Sequence, residues 1–247
     1  MQTNHTVDNI REFFTELFFP SFCFGCQKEG SLLCGDCIAT LEISPFAYCL
    51  CNHGAARIPP GTANGKCGRC HDKNLAGIYT ALAYKEKALT KKLIHHFKYK
   101  PYVKNLAKPL ARVMIEHLVL SGNNANKVWA GAVLTYVPSE NSSLKSRGYN
   151  QSHELANELS KTIKIPVISN NLVKIRKTKP QMKLSAKERQ ENLRGAFAIK
   201  NPAEFAGKKV FLVDDVYTTG ATMAECAKTL RAAGAKQVWG IAVAREG

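Results

Sequence analysis

The stretch VFLVDDVYTTGAT, residues 210–222, restricts the fold more than any other part of the chain. Val210, Phe211, Leu212 and Val213 form a continuous apolar run, the pattern of a strand buried on both faces. Two adjacent carboxylates, Asp214 and Asp215, end the run. Val216 follows, then a turn of small and hydroxyl-bearing residues, Thr218, Thr219, Gly220, Ala221 and Thr222. A strand buried on both faces implies a parallel sheet covered by helices. In such sheets ligands bind beyond the carboxyl ends of the strands, where Asp214 and Asp215 are expected. Carboxylates there accept hydrogen bonds from a sugar diol. The turn lets backbone N–H groups converge, and the three threonines add hydroxyl donors. A helix beginning near Ala221 directs its positive end at the same point. Diol acceptors beside a phosphate cradle describe a pocket for a ribose 5-phosphate. A plain strand–turn–helix with an Asp cap would account for one acid and one threonine, but not for two and three.

The rest of the C-terminal part fits an α/β pattern. Strands are expected at 77–84, 128–137, 210–213 and 237–243, with a strand or loop-strand at 167–175. Helices are expected at 88–97, 102–120, 150–164, 185–195 and 222–233. Ser185 and Glu188 have the spacing of a capping box. Strands alternating with helices give a mostly parallel sheet with helices on both faces. Near the N-terminus, Ile10, Phe13, Phe14, Leu17 and Phe18 recur at helical spacing between Asp8 and Pro20, which predicts a short amphipathic helix with a packing face.

Eight of the nine cysteines fall within residues 23–70. Cys23, Cys26, Cys34 and Cys37 form two Cys-x2-Cys knuckles, which bring four thiolates to one tetrahedral ion; zinc is the default for such a set. A disulfide scaffold is disfavoured because the N-terminus lacks the basic region of a secretion signal. Cys49, Cys51, Cys67 and Cys70 suggest a second zinc, although Cys-x-Cys is a less usual chelating pair and His53 or His71 could replace one thiol. With four thiolates and no open position, both sites would be structural. Cys226 stands apart and reads as a small buried apolar residue.

Charge divides the chain at a similar place. Residues 1–84 carry six Lys/Arg and seven Asp/Glu, whereas 85–247 carry 29 and 12, so the formal net charge of +16 resides in the second part. The expected organisation is an N-terminal helix and cysteine-rich module over 1–76, followed by an α/β domain over 77–247. No apolar run reaches the roughly 20 residues that span a bilayer, so the expected location is the cytoplasm. The basic balance selects polyanionic partners such as nucleic acid, phosphorylated metabolites or an anionic membrane surface. Residues 85–112 hold nine Lys/Arg against the single acid Glu86, interleaved with His95, His96, Phe97, Tyr99 and Tyr102. A second basic cluster begins at Lys174 and runs through Arg176, Lys177, Lys179, Lys183, Lys187, Arg189 and Arg194. Lysines neutralise phosphates and exposed aromatics stack on splayed bases, so a single-stranded DNA surface is one reading. Core aromatics beside a solvated lysine face is the other.

Four apolar residues, two acids and a Thr-Thr-Gly turn resemble the phosphoribosyl pyrophosphate (PRPP) motif of type I phosphoribosyltransferases. Residues 146–160 (SRGYNQSHELANELS) and 176–197 (RKTKPQMKLSAKERQENLRGAF), together with the N-terminal knuckles, resemble the ComF/GntX family of competence-type proteins. The resemblance implies a phosphoribosyltransferase-like fold with an N-terminal zinc module. It implies that Asp214 and Asp215 bind the ribose hydroxyls, and that Val216 and Thr218 through Thr222 hold the 5-phosphate. It places the pyrophosphate at Tyr136, Val137, Pro138 and Ser139, in an unusual peptide geometry, with Arg147, Asn150 and Gln151 facing the same crevice. Magnesium would accompany the pyrophosphate. The implied setting is natural transformation, with single-stranded DNA and a competence helicase or other DNA-uptake proteins as partners, in the cytoplasm or at the inner membrane's cytoplasmic side. Three functions stay open: a PRPP-dependent transferase, a DNA-binding accessory protein that keeps the pocket, and a nucleotide-salvage enzyme without a DNA role. No general base for an acceptor is identifiable.

Overall fold

The computed structural model describes residues 20–49, 56–58, 74–85, 88–122, 129–179 and 185–246. The helix expected before Pro20 lies outside them. The chain divides into two compact units, Met1–Leu41 and Glu42–Gly247.

In the first unit, Phe22 and Glu29 form an isolated antiparallel bridge around the first knuckle. A short helix, α1 (Gly35–Ala39), carries the second, and the Cys34 sulfur caps it by accepting the Cys37 N–H.

The second unit is built on a six-stranded sheet. Its strands are β1 (Ala47–Cys49), β2 (Ala56–Ile58), β3 (Ile78–Ala83), β4 (Ala132–Tyr136), β7 (Lys209–Tyr217) and β8 (Gln237–Arg245). They lie in the order β2-β1-β3-β8-β7-β4. The pairs β3–β8, β8–β7 and β7–β4 are parallel, and β1 and β2 add an antiparallel edge. A two-stranded antiparallel piece, β5 (Leu172–Lys174) with β6 (Phe197–Ile199), stands beside this sheet.

Five helices of this unit matter for the site: α2 (Leu89–Lys98), α3 (Ala107–Leu120), α4 (Asn141–Arg147), α5 (Gln151–Ile163) and α7 (Ala221–Ala232). A sixth, α6 (Ala186–Leu193), carries the Ser185–Glu188 capping box that the sequence predicts. Val210 and Leu212 of β7 meet Met223, Cys226, Ala227 and Leu230 of α7 in one core cluster. Cys226 is fully buried there, as a small apolar residue would be. Strand side chains alternate between faces, so Phe211 and Val213 point to the opposite side, where both are fully buried. There α3 packs against β3 and against α5, and the His117 ring of α3 meets Tyr79 of β3 edge-on. Helices thus cover both faces, which is why the middle of β7 is apolar without alternation.

Strand β7 continues four residues past the apolar run. Asp214 pairs with Ala242, Val216 with Ala244 and Tyr217 with Arg245 of β8. Pairing to β8 continues through this stretch, so the acids sit on the last residues of a strand and not in a loop.

Candidate functional site

The two acids lie at the carboxyl edge of the sheet, and a different helix end holds each. Asp215 is 5% exposed. Its Oδ1 accepts the Lys98 ammonium at 3.0 Å and the Val216 N–H at 2.7 Å. Asp214 is half-buried, and its Oδ1 accepts the Ser152 hydroxyl and the Asp215 N–H, both at 2.9 Å. Burial and then the neighbouring Asp215 charge push Asp214 up to about 7, against the opposing pull of Lys98. Burial works against the Lys98 charge, but Asp215 and Asp214 outweigh it and hold that lysine above its ordinary value.

After Tyr217 the chain turns through Thr218 and Thr219, both exposed, into Gly220. Gly220 has φ +75°, and a Cβ there would lie 2.1 Å from the Tyr217 Oη. Only glycine fits this corner, which sets the turn against the Tyr217 ring. Gly220 is the N-cap of α7 and offers no side-chain acceptor. Gly220 thus gives the start of α7 no side-chain cap, and the helix dipole adds positive potential there.

The second predicted segment adjoins the first. Val137 donates its N–H to Val213 O of β7 at 3.0 Å, and its carbonyl accepts the Asn150 amide at 3.0 Å. Tyr136 and Val137 are buried, while Pro138 and Ser139 are half-buried. The unusual peptide expected at 136–139 is not found: among the described residues only Lys100–Pro101 is cis. The trans form is the intrinsic preference of these peptide bonds. Arg147, the last residue of α4, donates from its guanidinium to the side-chain Oε1 of Gln151. Arg147 Nε and Gln151 Nε2 are buried with no hydrogen-bond acceptor among the described residues. Tyr149, between them, donates to Phe97 O at 2.7 Å. A cavity of about 300 Å³ opens beside this segment; Tyr136, Pro138, Ser139, Asn150, His153 and Lys174 are among its walls.

These residues fit a sugar phosphate. The acids supply diol acceptors, the uncapped start of α7 supplies N–H donors, and the orphaned donors on Arg147 and Gln151 suit a second anion. Magnesium, when bound with a pyrophosphate, would neutralise its charge.

The cysteine knuckles converge as predicted. The Sγ atoms of Cys23, Cys26, Cys34 and Cys37 all lie within 4.8 Å of one another. Those of Cys26 and Cys34 are 3.6 Å apart. A tetrahedral ion with bonds of about 2.3 Å needs sulfurs roughly 3.8 Å apart, so this set can hold zinc. Burial opposes ionisation of Cys23, yet N–H groups of Cys34, Cys26 and Gly25 bring it down to about 6, towards the thiolate that a metal requires. Of the second group, Cys51, Cys67 and Cys70 lie outside the described residues, as do His53 and His71; Cys49 contributes only its backbone, in β1.

The basic stretches separate into inward and outward residues. Phe97 is fully buried, whereas Tyr99 is 44% exposed. Tyr99 rests 5.1 Å from the His95 ring. Lys92, Lys100, Lys104, Lys108 and Arg112 are exposed, and Lys104 pairs with Glu154 at 3.1 Å. Lys98, which composition alone groups with the solvated lysines, turns inward to Asp215. In the second cluster Lys174 pairs with Glu140 at 2.7 Å. Arg176 donates to the carbonyls of Asn192 and Arg194, at the end of α6. Lys183 lies outside the described residues, as does the side chain of Lys187.

The family model for the phosphoribosyl transferase domain matches residues 144–246, which include α5, β7, the turn and α7. Competence protein F of Haemophilus influenzae is 44% identical over 99 residues, 39% of this chain and 43% of that one. The chain thus aligns with less than half of that relative. The DNA utilization protein YhgH of Salmonella typhi is 28% identical over 229 residues, 90% of this chain and 97% of its own length; that of Escherichia coli K12 is likewise 28% identical with the same coverage. Among solved structures, the glutamine PRPP amidotransferase of B. subtilis in complex with ADP and GMP aligns at 25% identity with a TM-score of 0.34. That alignment covers 56% of this chain and 25% of the other. With its mixed α/β fold and four-cysteine cluster, the chain is a homologue of competence protein F and of the YhgH DNA utilization proteins, and it carries a phosphoribosyl transferase domain.

Proposed function

We propose that this protein binds PRPP with magnesium at the tip of β7 and serves the uptake or use of DNA, engaging single-stranded DNA on its basic surface. The observation that carries the reading is the convergence of three features: the paired acids, the Thr-Thr-Gly turn and the uncapped start of α7. Asp214 and Asp215 would take the ribose hydroxyls. Val216 and residues Thr218 to Thr222 would surround the 5-phosphate. The pyrophosphate would lie along 136–139, with Arg147 as its charged donor. A zinc ion in the cysteine cluster would hold the N-terminal knuckles together. Among the described residues no helix is long and apolar enough to cross a membrane. We place the protein in the cytoplasm or at the cytoplasmic side of the inner membrane, with a competence helicase or other DNA-uptake proteins as partners.

If the bound PRPP turns over, an acceptor attacks the anomeric carbon as the bond to pyrophosphate breaks, and pyrophosphate leaves with the bonding electron pair. Charge stabilisation would dominate such an oxocarbenium-like step. A salvage enzyme without a DNA role would share the pocket; the names of the relatives and the exposed lysines of α2 and α3 favour the DNA reading.

Two titrations test the proposal. Calorimetry with PRPP and magnesium should give saturable one-to-one binding that the Asp214→Asn/Asp215→Asn double variant loses; equal affinity in that variant refutes the pocket. Binding to single-stranded DNA should weaken linearly in log–log form as salt rises; a flat response refutes phosphate contacts.

A further inference from the structure

We infer that Lys98 is a positioning residue for the sugar-binding carboxylates, fixing Asp215 from the end of the basic helix α2. This rests on the sugar site proposed at β7. Lys98 is the last residue of α2, where a cation is favoured by the helix dipole. Its ammonium meets Asp215 Oδ1 at 3.0 Å, with side-chain exposures of 34% for the lysine and 7% for the acid. An exposed lysine–carboxylate pair holds no fixed geometry. This pair is different, because the backbone on both sides is pinned. The carbonyl of Phe97, the residue before Lys98, accepts the buried Tyr149 hydroxyl at 2.7 Å. Three residues after Tyr149, Ser152 donates to Asp214. The end of α2 and the start of α5 are therefore tied together, and each supplies the donor for one acid.

Donation is also one-sided. The two bonds to Asp215 both fall on Oδ1, and so do the two to Asp214. Among the described residues neither Oδ2 takes a hydrogen bond, which leaves one oxygen of each acid as an acceptor for a vicinal diol. Lys98 thus has two effects at this site: it sets the rotation of the Asp215 carboxylate, and it offsets the repulsion between adjacent acids that the sugar needs in ionised form. Lys98 from α2 and Ser152 from α5 bond to the pair, and the buried Cys226 thiol of α7 lies within electrostatic reach of Asp214.

The test compares wild type with Lys98→Met and Lys98→Arg. Calorimetry measures affinity for magnesium-PRPP, and carbon-detected NMR follows the Asp214 carboxyl titration without ligand. Loss of a charge-assisted bond predicts that Lys98→Met weakens PRPP binding by about tenfold or more. Lys98→Arg, which keeps the charge, should restore most of it. Removing the opposite charge should move the Asp214 titration up by about one pH unit in Lys98→Met and leave it in place in Lys98→Arg. Unchanged affinity in Lys98→Met with wild-type PRPP binding overturns the inference and leaves the sugar site standing. Absence of PRPP binding in wild type overturns the sugar site instead. The NMR titration then decides whether Lys98 governs the acids, and an unmoved Asp214 refutes it. If Lys98→Met does not fold, Lys98→Gln takes its place in both measurements with the same expected and refuting outcomes.

Discussion

Replacing Asp214 by Asn should make the protein more stable at alkaline pH while removing its ligand. Asp214 ordinarily titrates near 3.8, and burial beside Asp215 pushes it up to about 7. The folded chain therefore binds this proton more tightly than the unfolded chain does. Stability from Asp214 is fully present below pH 3.8, and it is lost as pH rises through about 7. The gap is worth roughly 4 kcal/mol at most, at about 1.4 kcal/mol per pH unit. Asn cannot ionise, yet its amide oxygen can still accept the Ser152 hydroxyl and the Asp215 N–H that Asp214 Oδ1 accepts now. The stability gain of Asp214→Asn over wild type should thus grow from near zero at pH 4 to a few kcal/mol at pH 8. For a chain of this size that is on the order of 10 °C in Tm. Thermal unfolding of both proteins between pH 5 and 8, read by circular dichroism, measures it directly. A Tm difference that does not change with pH, or a variant less stable than wild type at pH 8, would refute the claim that this carboxylate is held ionised at a cost.

Three other perturbations have defined outcomes. Gly220→Ala places a Cβ against the Tyr217 ring at positive φ; it should destabilise by at least about 1–2 kcal/mol in denaturant titration and weaken PRPP binding. Arg147→Ala should weaken PRPP binding about tenfold or more but leave ribose 5-phosphate affinity nearly unchanged, because its buried, orphaned donor is the proposed partner of the pyrophosphate; equal losses for both ligands would contradict that proposal. Cys23→Ser should lower bound zinc by one ion per chain in metal analysis, and the change should leave the sheet of 42–247 folded by hydrogen exchange.

What the sequence made legible was whatever carried a strong local pattern. The Cys-x2-Cys spacing specified the cluster, because two short knuckles have few other ways to use four thiols. The apolar run at 210–213 specified a strand buried on both faces, and the small residues after Tyr217 specified the turn. The end of β7 was less legible. Apolarity stops at Asp214, but parallel pairing to β8 persists to Tyr217 because backbone bonds do not depend on side-chain polarity. Helix α4 escaped notice because NSSLKSR has no apolar periodicity; left-handed Gly148 closes it. The pairing of β5 with β6 links residues some 25 apart, and no local signal encodes it. Lys98 was hidden by its company of lysines. A signal was present, since Thr90, Leu93, Ile94 and Phe97 are the buried face of α2. Lys98 lies four residues after Ile94, on the edge of that face. Tyr149 carried no such mark; its role emerges only where α2 and α5 meet.

A crystal structure with PRPP and magnesium would show where the sugar phosphate sits. The 5-phosphate should lie within hydrogen-bond distance of backbone N–H groups in 218–222, with the ribose hydroxyls on the Oδ2 atoms of Asp214 and Asp215. A ligand bound elsewhere, with both acids making no contact to the ribose, would contradict it.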